Sequence, residues 1–137
     1  MEKVQITVET TVNAPIEKVW QAWTNPEDIM GWSFASDDWH TPHATNDLRV
    51  GGSFSSTMAA KDGSFSFDFE GIYDEVVLHE TIAYSLADGR IVKILFTQNG
   101  DETLISETFD AENENPVEMQ QAGWQAILNN FKKYVEN

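Results

Sequence analysis

Residues 116–136 read PVEMQQAGWQAILNNFKKYVE, and the conformation of this stretch decides the fold. Val117, Trp124, Leu128, Phe131 and Val135 recur at helical spacing, with Gln121, Ile127 and Tyr134 beside them. That spacing predicts one long amphipathic helix. Asn115 is a natural N-cap, Pro116 suits a first helical turn, and Glu118 stands three residues after the cap. Lys132 and Lys133 fall where the helix dipole favours cations. Gly123 is the exception in the pattern, because a mid-helix glycine costs about 1 kcal/mol against alanine. It lies beside Trp124 at the edge of the apolar stripe, so it marks either close packing on a strand or room left for a ligand.

Outward from this helix toward the N-terminus, the chain alternates with a period of two. Phe65, Phe67, Phe69 and Tyr73 share one side against Ser66, Asp68 and Glu70. Glu75 would join the aromatic side if that register held, which predicts a bulge near Gly71 or a strand end at an open mouth. Phe54, Ser56 and Met58 share one face of the preceding strand, entered through a Gly51-Gly52 bend. Ile82, Tyr84 and Leu86, then Val92, Ile94 and Phe96, then Thr103 to Phe109 complete the strand region. Lys61-Asp62-Gly63, Asp88-Gly89 and Asn99-Gly100 are hairpin turns, so the strands form an antiparallel meander.

Further back, residues 32–46 carry no period and read as an irregular segment, with Trp32, Phe34 and Trp39 at the mouth of a cavity or behind a helix. Asn25-Pro26-Glu27-Asp28 starts a short helix ending near Gly31, and Asn13-Ala14-Pro15 starts another whose face is Ile16, Val19, Trp20 and Trp23. Val4 to Val12 is a half-buried strand. The fold class is α+β: strand, two helices, about six strands, long helix, with a curved antiparallel sheet around the terminal helix. Space remains beneath that helix unless large side chains fill it, and five Trp, three Tyr and eight Phe are available to do so.

A length of 137 residues fits one domain, residues 1–137, burying about two-thirds of its unfolded surface. The formal charge of −15 excludes nucleic acid and anionic membranes as partners. With no Cys, disulfides, thiolate catalysis and zinc fingers are excluded. No signal-peptide run opens the chain and no segment reaches transmembrane length, so membrane insertion is not expected and the expected compartment is the cytoplasm.

Trp20 and Trp23, the Arg49-Val50-Gly51-Gly52-Ser53-Phe54 bend, Phe69-Glu70-Gly71-Ile72-Tyr73 and the ending Gly123-Trp124-Gln125-Ala126-Ile127-Leu128 together resemble a known family. The chain is similar over essentially its whole length to stand-alone bacterial domains akin to the C-terminal domain of the heat-shock-protein-90 ATPase activator. These belong to the START-like (SRPBCC), helix-grip superfamily. The resemblance implies a sheet gripping the C-terminal helix (order β-α-α-β6-α) and a pocket between them for hydrophobic small molecules. It fixes no ligand or reaction, since superfamily members include lipid carriers, cyclases and hydrolases. A chaperone contact is the other partner it brings to mind.

The expected ligand is a small aromatic or lipid-like molecule. Its contacts on the strands would be Phe54, Met58, Phe67, Phe69, Tyr73, Tyr84, Phe96 and Phe109. Trp32 and Trp39 would stand at the entrance, and Gln121, Trp124 and Leu128 would come from the helix. Glu107 shares the side of Phe109; if that side is the cavity it is a buried carboxylate with a raised pKa, and otherwise it is an exposed one. A rival reading, an enzyme of cyclase or hydrolase type, would give proton transfer to Glu107 or His40, with Glu75 and His79 as further partners. Asp37, Asp38, His40 and His43 are close in sequence but match no established metal spacing, so no metal is expected. No Gly-x-Ser-x-Gly elbow or phosphate loop occurs, and no cofactor is expected. An acidic module regulating a chaperone ATPase is the remaining alternative.

Overall fold

The computed structural model describes residues 4–112 and 115–136. Along the chain run β1 (Gln5–Val12), α1 (Ile16–Thr24), α2 (Pro26–Trp32), β2 (Trp39–Asn46), β3 (Ser53–Ala60), β4 (Ser66–Val77), β5 (Thr81–Leu86), β6 (Ile91–Asn99), β7 (Glu102–Asp110) and α3 (Val117–Glu136). The strands form one antiparallel sheet in the order β1-β7-β6-β5-β4-β3-β2, strongly curled into a half-barrel. Because β1 pairs with β7, the first and last strands close one side of the sheet while β2 ends the other. This is the α+β helix-grip arrangement expected of the pattern.

Two rows of paired residues carry the inner face. Val8, Glu107, Ile94, Ile82 and Val76 face one another across five strands, and Ile6, Phe109, Val92, Tyr84 and Tyr73 make the adjacent row. Val76 enters its row only because the ladder slips between Tyr73 and Glu75. The expected bulge therefore exists, a few residues past Gly71. It turns Glu75 to solvent, where its carboxylate lies 3.8 Å from Lys93.

Helix α3 lies along β1 and covers its open edge. Gln125 Nε2 donates to the Glu9 carbonyl at 3.0 Å, and Lys132 Nζ donates to the Thr11 carbonyl at 2.8 Å. These carbonyls sit on the unpaired side of an edge strand, so the two side chains satisfy groups that would otherwise invite pairing. Glu136 accepts from the Asn13 backbone N–H at 2.7 Å, and Asn130 Nδ2 donates to the Trp32 carbonyl at 2.8 Å. The helix begins at Val117, with the Pro116 carbonyl accepting from Met119 and Gln120 N–H, so the start lies just after the expected one. Leu128, Phe131 and Val135 are fully buried, but Val117 is exposed, so the stripe turns inward only after the first turn.

The expectation of an irregular segment over residues 32–46 is corrected on two counts. Trp32 closes α2, and Trp39–Asn46 is a strand. Strand β2 is an edge, its ladder to β3 slips between His40 and His43, and it contains Pro42. An edge strand tolerates proline and is half-solvated on both faces, so no alternation is written into it.

One end of the interior is solid. Trp23, Trp32 and Phe131 meet pairwise with ring centroids 4.8–4.9 Å apart, and Phe96 packs edge-on against Trp20 and Trp23 at 5.3 and 5.6 Å. Trp32 Nε1 donates to the Ala22 carbonyl at 2.9 Å, which satisfies the indole in the core.

Candidate functional site

The other end is hollow. Between α3 and the inner faces of β3, β4 and β5 lies a cavity of about 330 Å³. Phe54, Ser56 and Met58 of β3 and Phe67, Phe69 and Tyr73 of β4 supply one wall. Ile82 and Tyr84 of β5 with Glu107 of β7 form the floor, and Trp124 and Ile127 of α3 form the roof. Trp23, Ile29, Trp32 and Ser33 close the end toward α1 and α2, while Thr45 and Arg90 complete the lining. Phe67 and Thr45 are exposed as well as lining, so the cavity reaches solvent on the side of the sheet formed by β2, β3 and β4.

The wall is built by a close approach over glycine. Phe54 pairs with Gly71, and a Cβ on Gly71 would stand 2.7 Å from the Phe54 ring. Only glycine lets the ring lie flat across β4 at that point. The ring then meets Tyr84 at 4.7 Å and Tyr73 at 5.4 Å. Tyr73 is held in turn, its hydroxyl donating to Asn46 Oδ1 at 2.5 Å while Asn46 Nδ2 donates to the Thr24 carbonyl at 2.6 Å. The Gly51-Gly52 bend that delivers β3 is pinned to the same residue by two backbone bonds of 2.9 Å, with Gly51 at φ +84° in the left-handed region. Across the cavity Trp124 stacks on Phe109 at 3.9 Å and meets Phe69 edge-on at 6.1 Å.

Glu107 is the carboxyl on the floor. It is 6 % exposed, and among the described residues its carboxyl has no hydrogen-bond or ion-pair partner. Burial alone pushes its pKa up to about 8, so the carboxyl is largely protonated at neutral pH. Burial likewise drives the Tyr84 phenol well above its ordinary value, with the Glu107 carboxylate adding to the effect. Tyr73 is raised by burial against the opposing effect of its bond to Asn46. Arg90 reaches the lining from the β5–β6 turn, with its Nε 2.7 Å from Asp88 Oδ2.

Of the expected ligand-contacting residues, Trp32, Phe54, Met58, Phe67, Phe69, Tyr73, Tyr84 and Trp124 come together around this space, and Glu107 joins them. Five do not. Phe96 and Leu128 are locked in the solid core, and Phe109 is covered by the Trp124 ring. Trp39 packs outside the lining, edge-on to Phe65 and Phe67 at 6.1 Å. Gln121 is exposed; the buried amide is its neighbour Gln120, which bonds Glu112 and Asn115 backbone groups at 2.8–3.1 Å. His40 sits in β2 opposite Ala59, away from the lining, and His79 packs against Trp20. Among the described residues no three His, Asp or Glu side chains gather as a metal site.

The sequence reading passed over Trp23, Ile29, Ser33, Thr45, Ile82 and Arg90. Ser56 and Ile127 were passed over as well, though each carried a signal that could have found it, one standing between Phe54 and Met58 on a strand face and the other beside the helical stripe. Arg90 gave none, because its approach depends on the turn geometry at Gly89 (φ +91°). Gly123 explains neither of its two expected roles directly: an added Cβ would meet nothing within 4 Å, so close packing is excluded, and the residue is not part of the lining.

A curled sheet gripping a terminal helix over an internal space defines a helix-grip domain, a fold of the ligand-binding kind. The chain belongs to the family described as activator of Hsp90 ATPase homolog 1-like protein, whose model matches residues 13–136. Its fold is shared by an AHSA1-like protein from Aeromonas hydrophila solved by NMR, at 46 % identity and a TM-score of 0.91, over 97 % of this chain and 92 % of that one. A second solution structure, Chr148 from Cytophaga hutchinsonii, matches at 59 % identity and a TM-score of 0.84 with the same coverage. The protein NE0264 from Nitrosomonas europaea, at 16 % identity and a TM-score of 0.82 over 96 % of this chain and 94 % of that one, shares the fold alone. A search of curated proteins finds no match. Among the described residues no helix is long and apolar enough to cross a membrane.

Proposed function

We propose that the protein binds a small, mainly apolar molecule, aromatic or lipid-like, in the cavity beneath α3. The observation that carries this reading is the contrast within one interior. One end is filled by Trp23, Trp32 and Phe131, while the other leaves about 330 Å³ between Trp124 and the Phe54–Phe69 wall. That volume falls in the range of small-molecule sites, and such sites are concave, mostly apolar and furnished with few polar groups. Flat walls made by Phe54, Phe69 and Trp124 suit planar ligands through offset stacking and edge contacts.

The test is an NMR titration with planar hydrophobic alcohols and medium-chain fatty acids. Binding is expected to move the Ile82 and Ile127 methyls and the Trp124 and Phe69 ring signals together. Shifts restricted to exposed positions such as Leu78 and Met119 would refute the reading.

A chaperone contact is the second reading, favoured by the family description and the formal charge of −15. It predicts binding to a basic face of the chaperone that weakens steeply between 50 and 300 mM salt, on the order of the loss expected when surface charges are screened. Absence of binding at low salt would reject it.

A further inference from the structure

Among the polar groups lining the cavity, Glu107 is the carboxyl, and among the described residues no cation pairs with it. Glu107 stands in a row with Val8, Ile94, Ile82 and Val76, where every other member is aliphatic. Its oxygens face the cavity and not a partner in the chain, so what occupies the cavity, water or a ligand, completes them. Val8 of β1 and Ile94 of β6 flank it on the paired strands, and Trp124 and Ile127 of α3 roof the cavity it lines. None of these bears a charge. Tyr84 of β5 is the titratable neighbour whose proton feels the Glu107 carboxylate, and Tyr73 and Arg90 act on Tyr84 from beyond it. The cation in the lining, Arg90, is opposed by Asp88 at 2.7 Å. The unmatched capacity in the cavity is that of one carboxyl, which accepts positive charge when it gives up its proton.

Two further features favour the same ligand chemistry. The walls present the faces and edges of Phe54, Phe69, Tyr73, Tyr84 and Trp124, and aromatic faces attract ammonium groups. The chain's charge of −15 raises the local concentration of cations at its surface.

We infer that the ligand is an aromatic or otherwise apolar amine, whose ammonium group is held by the Glu107 carboxylate inside the aromatic walls of the cavity. This rests on the ligand-binding reading above and specifies it. Glu107 is then an anchoring residue: it binds and orients, and no bond of the ligand is made or broken. Its protonation gives the binding a signature. Free Glu107, at a pKa of about 8, is mostly protonated at pH 7, as is a free alkyl amine. Forming the ion pair expels the carboxyl proton, so most of a proton leaves per amine bound at pH 7. A neutral or anionic ligand expels none from this group.

The experiment is isothermal titration calorimetry at pH 7 in two buffers of different ionisation enthalpy, with three probes that share the naphthalene ring: 2-naphthylmethylamine, 2-naphthalenemethanol and 2-naphthoate. The amine is expected to bind at least about tenfold more tightly than the alcohol and to release nearly one proton. In Glu107→Gln the release vanishes and the amine loses about 10–100-fold in affinity relative to the alcohol measured on the same variant. The wild-type proton count stands whether or not the variant folds. Alcohol binding without an advantage or proton release for the amine would overturn this inference and leave the cavity reading intact. Tighter binding of 2-naphthoate would overturn it in favour of Arg90. Failure of all three probes to bind would overturn both.

Discussion

Replacing Glu107 by Gln should make the protein more stable, by an amount that grows with pH. The carboxyl titrates near 4.5 in an unfolded chain and near 8 in the cavity, so between those values the folded state holds a proton that the unfolded state has lost. Stability falls with rising pH wherever the native state binds more protons. Glu107 is therefore without penalty below about pH 4.5, costs stability as the pH rises toward 8, and costs a constant amount above it. One pKa unit is worth 1.36 kcal/mol, so the full penalty is about 5 kcal/mol, of which about 3 kcal/mol is present by pH 7. Urea unfolding of the wild type and Glu107→Gln at pH 5, 6, 7, 8 and 9 isolates this contribution, because the other titrating groups cancel in the difference. The variant should gain less than about 1 kcal/mol at pH 5, then about 1.4 kcal/mol per pH unit up to pH 8, and level off. A difference that stays constant across this range would mean that the carboxyl is solvated, and the desolvated floor of the cavity would have to be abandoned.

Two further substitutions probe the frame of the site. Gly123→Ala adds a Cβ with no atom within 4 Å and should raise stability by about 1 kcal/mol through helix propensity, seen as a higher urea midpoint at unchanged slope. A lower midpoint would show a contact at Gly123 after all. Tyr73→Phe removes the donor to Asn46 Oδ1 and should cost about 1 kcal/mol, because the Asn46 amide stays anchored to Thr24 and one acceptor is left unpaired. No change in the urea midpoint would mean that the bond contributes nothing to the wall.

The parts of this architecture that were legible in the chain are those where burial falls on one side. Helix α3 reads correctly because Leu128, Phe131 and Val135 face the core while Asn129 and Lys133 face water. Strand β4 reads correctly as far as Tyr73, and the misfit of Glu75 announced the slip that the ladder shows. Strand β2 was hidden because an edge with Pro42 shows no alternation. The wall residues Phe54, Met58, Phe69 and Tyr84 could be named from strand periodicity, but periodicity gives the face and not the depth. Phe96 and Phe109 share the inner face with them and are nevertheless covered, one by Trp20 and Trp23 and the other by the stacked Trp124 ring. The choice between Gln120 and Gln121 turned on a helix phase that one residue decides, and the backbone groups of Glu112 and Asn115 bury the former.

The central claim is that the space under Trp124 and Ile127 admits an apolar guest, and xenon tests it without presupposing any ligand. Crystals pressurised with xenon should show density between Trp124, Ile127, Phe69 and Ile82, within the volume of about 330 Å³. Xenon found only at the surface, with the Trp124 and Phe69 side chains closed over that volume, would contradict the account.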